Sequence, residues 1–352
     1  MKESDPIDVA IILRKQDPFG FSIEELFRGL VHYWATHPEL GIRPHLVEVP
    51  HSSSSLWKIW RNLLYVRRHS RAVNHITGDI HYAALGLPVR GSVLTVHDCG
   101  FMRNQRGWKR WVMHHLWLKW PLGRVETPTV ISERTRADVC AYTDCSDGRM
   151  RVIPNYYPPR YTYHPRREIS GVPVLLQIGT KENKNIPRVA EALRGMECRL
   201  VVVGRLTADQ RRAVQRHAIH VEERPQLTNE ALLAAYVDAD AVLFASTFEG
   251  FGMPIIEAQA VGRPVITSDR EPMTTVAGPG GAAFVEPESV TSIRAGIQRV
   301  LHDRSYADAL VRRGLENVKR YSLPTIAARY AALYRKTDDV PVARTPQSGV
   351  LR

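Results

Sequence analysis

Short apolar runs alternate with longer amphipathic stretches along most of the chain. The apolar runs lie at residues 7–13, 91–96, 174–178, 200–203, 241–245 and 264–267. They show no sustained two-residue alternation, which is typical of strands buried on both faces of a parallel sheet. Amphipathic stretches that predict helices include residues 22–36, 186–194, 229–237 and 290–301. Strands that alternate with helices in this way predict an α/β fold with parallel sheets.

The 352 residues are enough for two domains. Residues 153–173 include five prolines, and proline restricts both its own backbone and that of the preceding residue. We therefore predict a linker near residues 154–172, a first domain of residues 1–157 and a second domain that begins at residue 158. The polar, proline-containing tail of residues 338–352 is predicted to be disordered.

The overall composition is that of an ordinary soluble enzyme, with 44% apolar and 24% charged residues. The N-terminus lacks the pattern of a secretory signal, and no apolar run reaches 18 residues. The four cysteines (Cys99, Cys140, Cys145 and Cys198) form no C-x-x-C pair and fit no zinc template. We therefore expect a cytoplasmic protein with free thiols.

The positive charge is concentrated in residues 56–124. This segment has twelve Lys and Arg residues against two acids, Asp79 and Asp98, and six of the seven tryptophans of the chain. Three interpretations are open. The tryptophans belong to the core beneath a solvated basic face, or the segment binds an anionic membrane surface or lipid-linked acceptor, or it stacks single-stranded nucleic acid.

The most informative segment is residues 241–269, AVLFASTFEGFGMPIIEAQAVGRPVITSD. It predicts a buried strand, a loop, a helix and a second strand, so the loop lies at the carboxyl end of a parallel strand and at a helix N-terminus. Ligands bind at such strand ends, and phosphates bind at such helix ends. Glu249 in the loop and Glu257 in the first helical turn are predicted to reach one pocket and to accept hydrogen bonds from sugar or ribose hydroxyls. We expect Glu249 to contact only ligand.

Residues 249–258, EGFGMPIIEA, resemble the E-x7-E motif of the group 1 (family 4) retaining glycosyltransferases. The resemblance implies the GT-B fold, in which two doubly wound, Rossmann-like parallel-sheet domains face each other across a cleft. It also implies that Glu249 contacts the donor sugar and Glu257 the nucleotide ribose. The backbone amides of Phe251, Gly252 and Met253 would face the sugar and the diphosphate.

Further matches to this family lie in the second half of the chain. In VLLQIGTKENK, residues 174–184, Gly179 ends the strand and Lys184 stands where the family has a phosphate-binding lysine. Thr180 occupies the position of a frequent family arginine, so Lys181 is a candidate substitute in the donor site. Gly204, in LVVVGRL, would give room for the nucleotide. Residues 321–334 resemble the family's C-terminal helix, which implies a donor domain of residues 158–322 and a helix of residues 323–337 that crosses back to the first domain.

The first half of the chain resembles the family more loosely. In TVHDCG, residues 95–100, His97 would hydrogen-bond the donor sugar near the reacting carbon, and Asp98 would orient its ring. Gly20, between the first strand and the first helix, stands in the family's glycine-rich loop, which borders the acceptor and the phosphates.

The implied activity is transfer of a hexosyl group from a nucleoside diphosphate sugar to an acceptor hydroxyl, with retention at the anomeric carbon. The acceptor would be a cell-envelope glycan or a lipid-linked molecule, with the protein peripheral at the inner face of the membrane. We expect no metal and no other cofactor. The alternatives are an epimerase or phosphorylase of the same fold, or a basic nucleic-acid-binding module.

Overall fold

The computed structural model describes residues 5–15, 22–103, 106–143 and 147–338. Two six-stranded sheets form the framework, and every strand pairing is parallel. The first sheet has the order β2-β1-β3-β4-β5-β6, with β1 Ile7–Leu13, β2 Ile42–Glu48, β3 Val73–Ile76, β4 Ser92–Val96, β5 Thr127–Val130 and β6 Arg151–Val152. The second has the order β12-β11-β10-β7-β8-β9, with β7 Val174–Ile178, β8 Arg199–Val203, β9 His220–Arg224, β10 Ala241–Phe244, β11 Val265–Ser268 and β12 Ala283–Val285.

Helices connect the strands and cover both faces of each sheet, as parallel strands require. Those of the first half are α1 Ser22–Thr36, α2 Leu56–Arg68, α3 Gly100–Arg103, α4 Gly107–Met113, α5 Trp120–Arg124 and α6 Glu133–Tyr142, and a π-helical turn at His114–Lys119 joins α4 to α5. Those of the second half are α7 Ile186–Leu193, α8 Ala208–Arg216, α9 Asn229–Asp238, α10 Met253–Val261, α11 Met273–Ala277, α12 Val290–His302, α13 Arg304–Val318 and α14 Leu323–Asp338. The predicted pair of doubly wound α/β sheets is thereby confirmed.

Local sequence fixes the starts of several helices. Thr207 and Gln210 form a reciprocal capping box at the start of α8, and Ser132 accepts a hydrogen bond from the Thr135 amide at the start of α6. Such caps satisfy amides that have no partner inside the helix, typically with a stabilisation of about 1 kcal/mol. They therefore position the loops that precede these helices, which lie at the ends of strands.

The last helix, α14, packs on the first sheet although it follows the second domain in sequence. The Tyr334 hydroxyl hydrogen-bonds to His75 Nδ1 at 2.6 Å, and the Trp34 indole donates to the Ala327 carbonyl at 3.2 Å. These partners are buried, so the chain crosses twice between the two sheets. The first crossing, residues 153–173, contains no helix or strand, in keeping with the predicted linker.

The strand order reverses between β7 and β10 in the second sheet, and between β1 and β3 in the first. The loops that follow such neighbouring strands diverge to opposite faces and leave a crevice at the carboxyl ends of the strands. Lys184 follows β7, and Glu249 follows β10. None of the helices in the described ranges is long and apolar enough to cross a lipid bilayer.

Candidate active site

An ion pair lies at the crevice of the second sheet. The Lys184 ammonium contacts Glu249 Oε1 at 2.6 Å, and the two side chains are only 13% and 14% exposed. The Lys184 ammonium also lies 4.3 Å from the centre of the Phe244 ring. The structure thus brings together two predicted site residues, but the expectation that Glu249 contacts only ligand is wrong. Lys184 neutralises it, because a mostly buried carboxylate requires a counter-charge.

Asn183 holds the loop that carries Glu249. Its side-chain amide donates to Glu249 Oε1 at 3.0 Å and to the Phe248 carbonyl at 2.7 Å. Its own carbonyl accepts from the Thr247 amide at 2.9 Å. Sequence reasoning missed this residue, because only the approach of two loops more than sixty positions apart reveals the contact.

The N-terminus of α10 lies beside this ion pair in sequence. Gly252 caps the helix with φ 108°, a conformation that favours glycine, and Phe251 before it packs edge-on against Tyr321. The first amides of a helix have no intrahelical acceptor and attract phosphate. The assignment of Phe251, Gly252 and Met253 to the donor stays a prediction consistent with this geometry.

Glu257 is buried in the second turn of α10, one turn later than predicted. The Tyr236 hydroxyl donates to its Oε2 at 2.7 Å, and burial raises the pKa of Glu257 to about 6. The nearby Tyr161 hydroxyl is also buried and has no hydrogen-bond partner within the described residues. A carboxyl held in this setting can bind a hydroxyl-bearing ligand, which would favour its ionised form.

The remaining predicted donor residues lie on the loops after β7 and β8. Gly179 and Gly204 have φ angles of 85° and 129°. A Cβ atom on Gly204 would lie 2.9 Å from the Thr180 side chain, so the two loops touch here. The side chain of Lys181 is exposed at the start of a 3-10 turn.

His97, at the end of β4, is buried at the edge of the first domain. Its Nε2 lies 2.8 Å from the Thr77 carbonyl, which can only accept, so Nε2 carries the proton and Nδ1 is an acceptor. Burial lowers the pKa of His97, which keeps the ring neutral at pH 7. The expectation that Asp98 orients the ring is wrong, because its carboxylate is exposed and accepts from the Gly100 amide instead.

The two predicted halves of the site meet at Gly250. A Cβ atom there would lie 2.9 Å from the His97 carbonyl oxygen. The Ser132 hydroxyl donates to the Gly250 carbonyl at 2.8 Å, and the Thr135 hydroxyl donates to the His97 carbonyl at 3.2 Å. Ser132 and Thr135, at the start of α6, therefore hold the loop that contains Glu249 against the loop that contains His97. Gly20, the remaining predicted site residue, lies outside the described residues.

The tryptophans of residues 56–124 are not core residues, with one partial exception. Five of them are between 45% and 72% exposed (Trp57, Trp60, Trp108, Trp111 and Trp120). Trp117 is partly buried and packs against Tyr82. The interpretation that assigns these tryptophans to the core is therefore wrong for five of the six.

Comparison with known proteins finds a family match in the second half of the chain. Residues 163–317 match the family model described as glycosyl transferases group 1. The chain is 30% identical over 164 residues to the O-antigen chain mannosyltransferase B of Escherichia coli, which is 46% of this chain and 40% of that protein. It is 33% identical over 116 residues to the MMP alpha-(1->4)-mannosyltransferase of Mycolicibacterium hassiacum, or 31% of this chain and 28% of that protein. The matches thus span less than half the length of these curated relatives.

Similarity to solved structures extends over nearly the whole chain. A sucrose-phosphate synthase from Thermosynechococcus elongatus superposes with a TM-score of 0.76 over 94% of this chain and 98% of that one, at 19% identity. HepE of Anabaena, solved in complex with UDP and glucose, superposes with a TM-score of 0.73 over 94% and 100% of the two chains, at 13% identity. At such identities the likeness shows the fold alone. With the paired parallel sheets, it shows that this chain has the GT-B fold, and residues 163–317, less than half of the chain, match the group 1 glycosyltransferase family model.

Proposed function

We propose that this protein transfers a hexosyl group from a nucleoside diphosphate sugar to an acceptor hydroxyl, with retention of the anomeric configuration. The observation that carries the proposal is the buried Lys184–Glu249 pair at the strand-order reversal of the second sheet. A cation there suits the diphosphate, a carboxylate suits sugar hydroxyls, and the buried carboxyl of Glu257 suits the ribose. His97 Nδ1 offers an acceptor for a sugar hydroxyl from the facing domain.

In this reaction the bond between the anomeric carbon and the diphosphate oxygen breaks, and the acceptor oxygen bonds to the same face of that carbon. Lys184 and the amides at the start of α10 stabilise the charge that develops on the leaving diphosphate. The acceptor hydroxyl loses its proton to an oxygen of the departing phosphate. Glu249 holds the sugar by its hydroxyls. No protein nucleophile and no metal takes part in this scheme.

The arrangement of the potential metal ligands bears on the need for a metal ion. Within the described ranges, no group of three or more His, Cys, Asp or Glu side chains is arranged to hold a metal ion. The metal independence nevertheless stays a prediction, to be tested by assaying activity with and without a chelator.

Two relatives are mannosyltransferases by name, one of them for an O-antigen chain, which supports a glycan acceptor of the cell envelope. We propose that the protein acts at the inner face of the membrane.

The test begins with a thermal-shift screen of UDP-, GDP- and ADP-sugars, since a bound donor raises the apparent stability by mass action. The donor that binds is then turned over with glycan acceptors, and NMR reads the anomeric configuration of the product. We expect retention in the wild type and at least a hundredfold lower turnover for Glu249→Ala, which is about 3 kcal/mol in the barrier. An inverted product, or a Glu249→Ala variant within about threefold of wild type, would refute the mechanism.

The same screen separates the rival functions. An epimerase would change the free donor without an acceptor, and a phosphorylase would release a sugar phosphate. A nucleic-acid-binding module would respond to oligonucleotides, with strong salt dependence, and not to nucleotide sugars.

A further inference from the structure

The exposed tryptophans of the first domain lie on three helices. Trp57 and Trp60 are on α2, Trp108 and Trp111 are on α4, and Trp120 begins α5. Together with the exposed cations of α2, α4, the π-helical turn and α5, they form a surface that we name the tryptophan face. Large exposed apolar patches on a soluble domain commonly mark interaction sites, whereas scattered ones do not.

The helices of this face share one support. The Asn62 amide on α2 donates to the Tyr82 hydroxyl at 2.9 Å, and the Tyr82 ring contacts Trp117 of the π-helical turn edge-on, with 5.2 Å between ring centres. Ile59 of α2 and Leu118 of the π-helical turn belong to one core cluster beneath. The inward sides of these helices therefore meet in one core. On the outside, Trp57 lies against Trp60, and Trp111 lies against Trp120 with ring centres 6.3 Å apart.

Helix α4 has no buried residue among its seven. An isolated helix of this length is not stable in water, and helices in proteins are held mostly by packing of an apolar face. Met113 at its end is partly buried against the core, whereas Trp108 and Trp111 are 72% and 57% exposed and lack the cover that a core would supply. We therefore expect α4 to contact an apolar surface outside this chain when the protein functions.

The charge of the face is of one sign. Helix α2, helix α4, the π-helical turn and α5 contain no Asp or Glu. Their cations are Lys58, Arg61, Arg67, Arg68, Lys109, Arg110, Lys119 and Arg124. The two acids of residues 56–124 are engaged elsewhere, since Asp79 pairs with Arg14 at 2.6 Å and Asp98 accepts from the Gly100 amide.

We propose that the tryptophan face docks this protein on an anionic phospholipid bilayer. Tryptophan combines an apolar body with a polar N–H and favours the headgroup level, and clustered cations are attracted to anionic lipid. A second copy of the chain fits poorly, because it would bring like charges together. Single-stranded nucleic acid needs free aromatic faces, whereas Trp57 and Trp60 stack on each other with ring centres 4.9 Å apart.

This docking would bring the cleft near the lipid headgroups. Helix α4 begins ten residues after His97, so fully extended chain limits their separation to about 35 Å. A bilayer-bound α4 therefore keeps the His97 side of the cleft within reach of an acceptor hydroxyl that projects from the membrane. The docking itself does not depend on the proposed transfer reaction, because the tryptophan face includes no predicted donor residue.

The test is co-sedimentation of the full chain with vesicles of phosphatidylcholine alone and with 30 mol% phosphatidylglycerol (a chosen composition), each at low and high salt. Wild type should bind the anionic vesicles at low salt, with a blue shift of tryptophan emission, and should be released at high salt. Lys109→Glu/Arg110→Glu should lower the partition coefficient at least roughly tenfold. Trp108→Ala/Trp111→Ala should lower it as well and diminish the blue shift.

The matched control is Arg216→Glu/Arg312→Glu, which makes the same charge change on exposed positions of the second domain. It should bind vesicles within about twofold of wild type, and a nucleotide-sugar thermal shift shows that each variant is folded. The proposal is overturned if wild type ignores anionic vesicles at low salt or if the control loses as much binding as the α4 variants. It is also overturned if the face proves to mediate a dimer, or to bind an oligonucleotide in place of lipid.

Discussion

Lys184 and Glu249 neutralise each other in a site that excludes most water. In the proposed reaction each partner has a different ligand, the phosphate for Lys184 and the sugar hydroxyls for Glu249. Binding of the donor therefore has to separate an existing ion pair. Until the donor binds, this ion pair holds both side chains in place. Removal of one partner leaves the other charge mostly buried without compensation, which costs more than the pair contributes.

We accordingly predict that Lys184→Ala and Glu249→Ala each lower the free energy of unfolding by about 3 kcal/mol. The double variant should lose clearly less than the sum of the two, because it leaves no uncompensated charge. Urea denaturation of the four proteins measures this coupling. Simple additivity of the two losses would show that the pair contributes little in solution.

Glu257 gives the protein a pH dependence that the proposed nucleotide site would share. Burial raises its pKa from the ordinary 4.5 to about 6, so the folded state keeps the proton at pH values where the unfolded chain has lost it. Its contribution to stability is therefore fully present below pH 4.5 and declines as the pH rises to about 6. The total decline is about 2 kcal/mol.

The expected consequence is that Glu257→Gln is more stable than wild type at pH 7.5 and that this advantage disappears near pH 4.5. Nucleotide affinity should change in the opposite sense, since the ionised carboxylate accepts the ribose hydroxyls better than the protonated form does. Wild type should lose affinity below about pH 6 more steeply than Glu257→Gln does. Parallel curves for the two proteins, in both stability and binding, would remove Glu257 from the site.

Among the elements, the loop before α10 and the start of α6 show how the two domains are held at the cleft. Gly250 has no side chain, and its backbone packs directly on the His97 loop while Ser132 donates to its carbonyl. A methyl group at this position would lie only 2.9 Å from a backbone oxygen. One of the two loops would then have to move.

Gly250→Ala should therefore lower kcat at least tenfold while the nucleotide Kd changes less than threefold, because the shift separates His97 from Glu249, whereas Lys184 lies on a different loop. Transfer assays and calorimetry on the same preparation measure the two quantities. Gly123→Ala is the matched control, since a Cβ atom there meets nothing within 4 Å. Equal effects of the two substitutions would contradict the importance of this approach between domains.

The strands and helices that could be predicted from the sequence are those with a continuous or periodic apolar run. β1, β7 and α1 have the predicted bounds, and the strand–loop–helix–strand segment around Glu249 lies within one residue of prediction. The predicted runs do not include β2, β3, β5, β6, β9 and β12. Among these, the edge strands β2 and β9 read IRPHLVE and HVEER and lack a continuous apolar run. Likewise Asn183 and Thr77 support the site through contacts between distant loops, and no local pattern marks them.

At the scale of the whole molecule, the clustered positive charge lies in the first domain, whereas most of the predicted donor-binding residues lie in the second. The first domain carries the tryptophan face, and the second carries the Lys184–Glu249 pair and Glu257. The linker of residues 153–173 and α14 both connect the two sheets. Under the proposed docking, the first domain rests on the membrane and the second receives donor from solution. Composition predicted the charge of this face, but only the fold shows that its tryptophans are exposed.

The central claim is that the donor diphosphate binds at Lys184, and calorimetric titration with UDP, GDP, ADP, CDP and TDP tests it most directly. Wild type should bind at least one of these nucleotides. Lys184→Gln should bind that nucleotide at least tenfold more weakly, because a charge-assisted contact to phosphate is lost. Lys181→Ala, a loss of the exposed lysine nearby, should bind within about twofold of wild type. A wild type that binds none of the five, or a Lys184→Gln variant with unchanged affinity, would contradict the account.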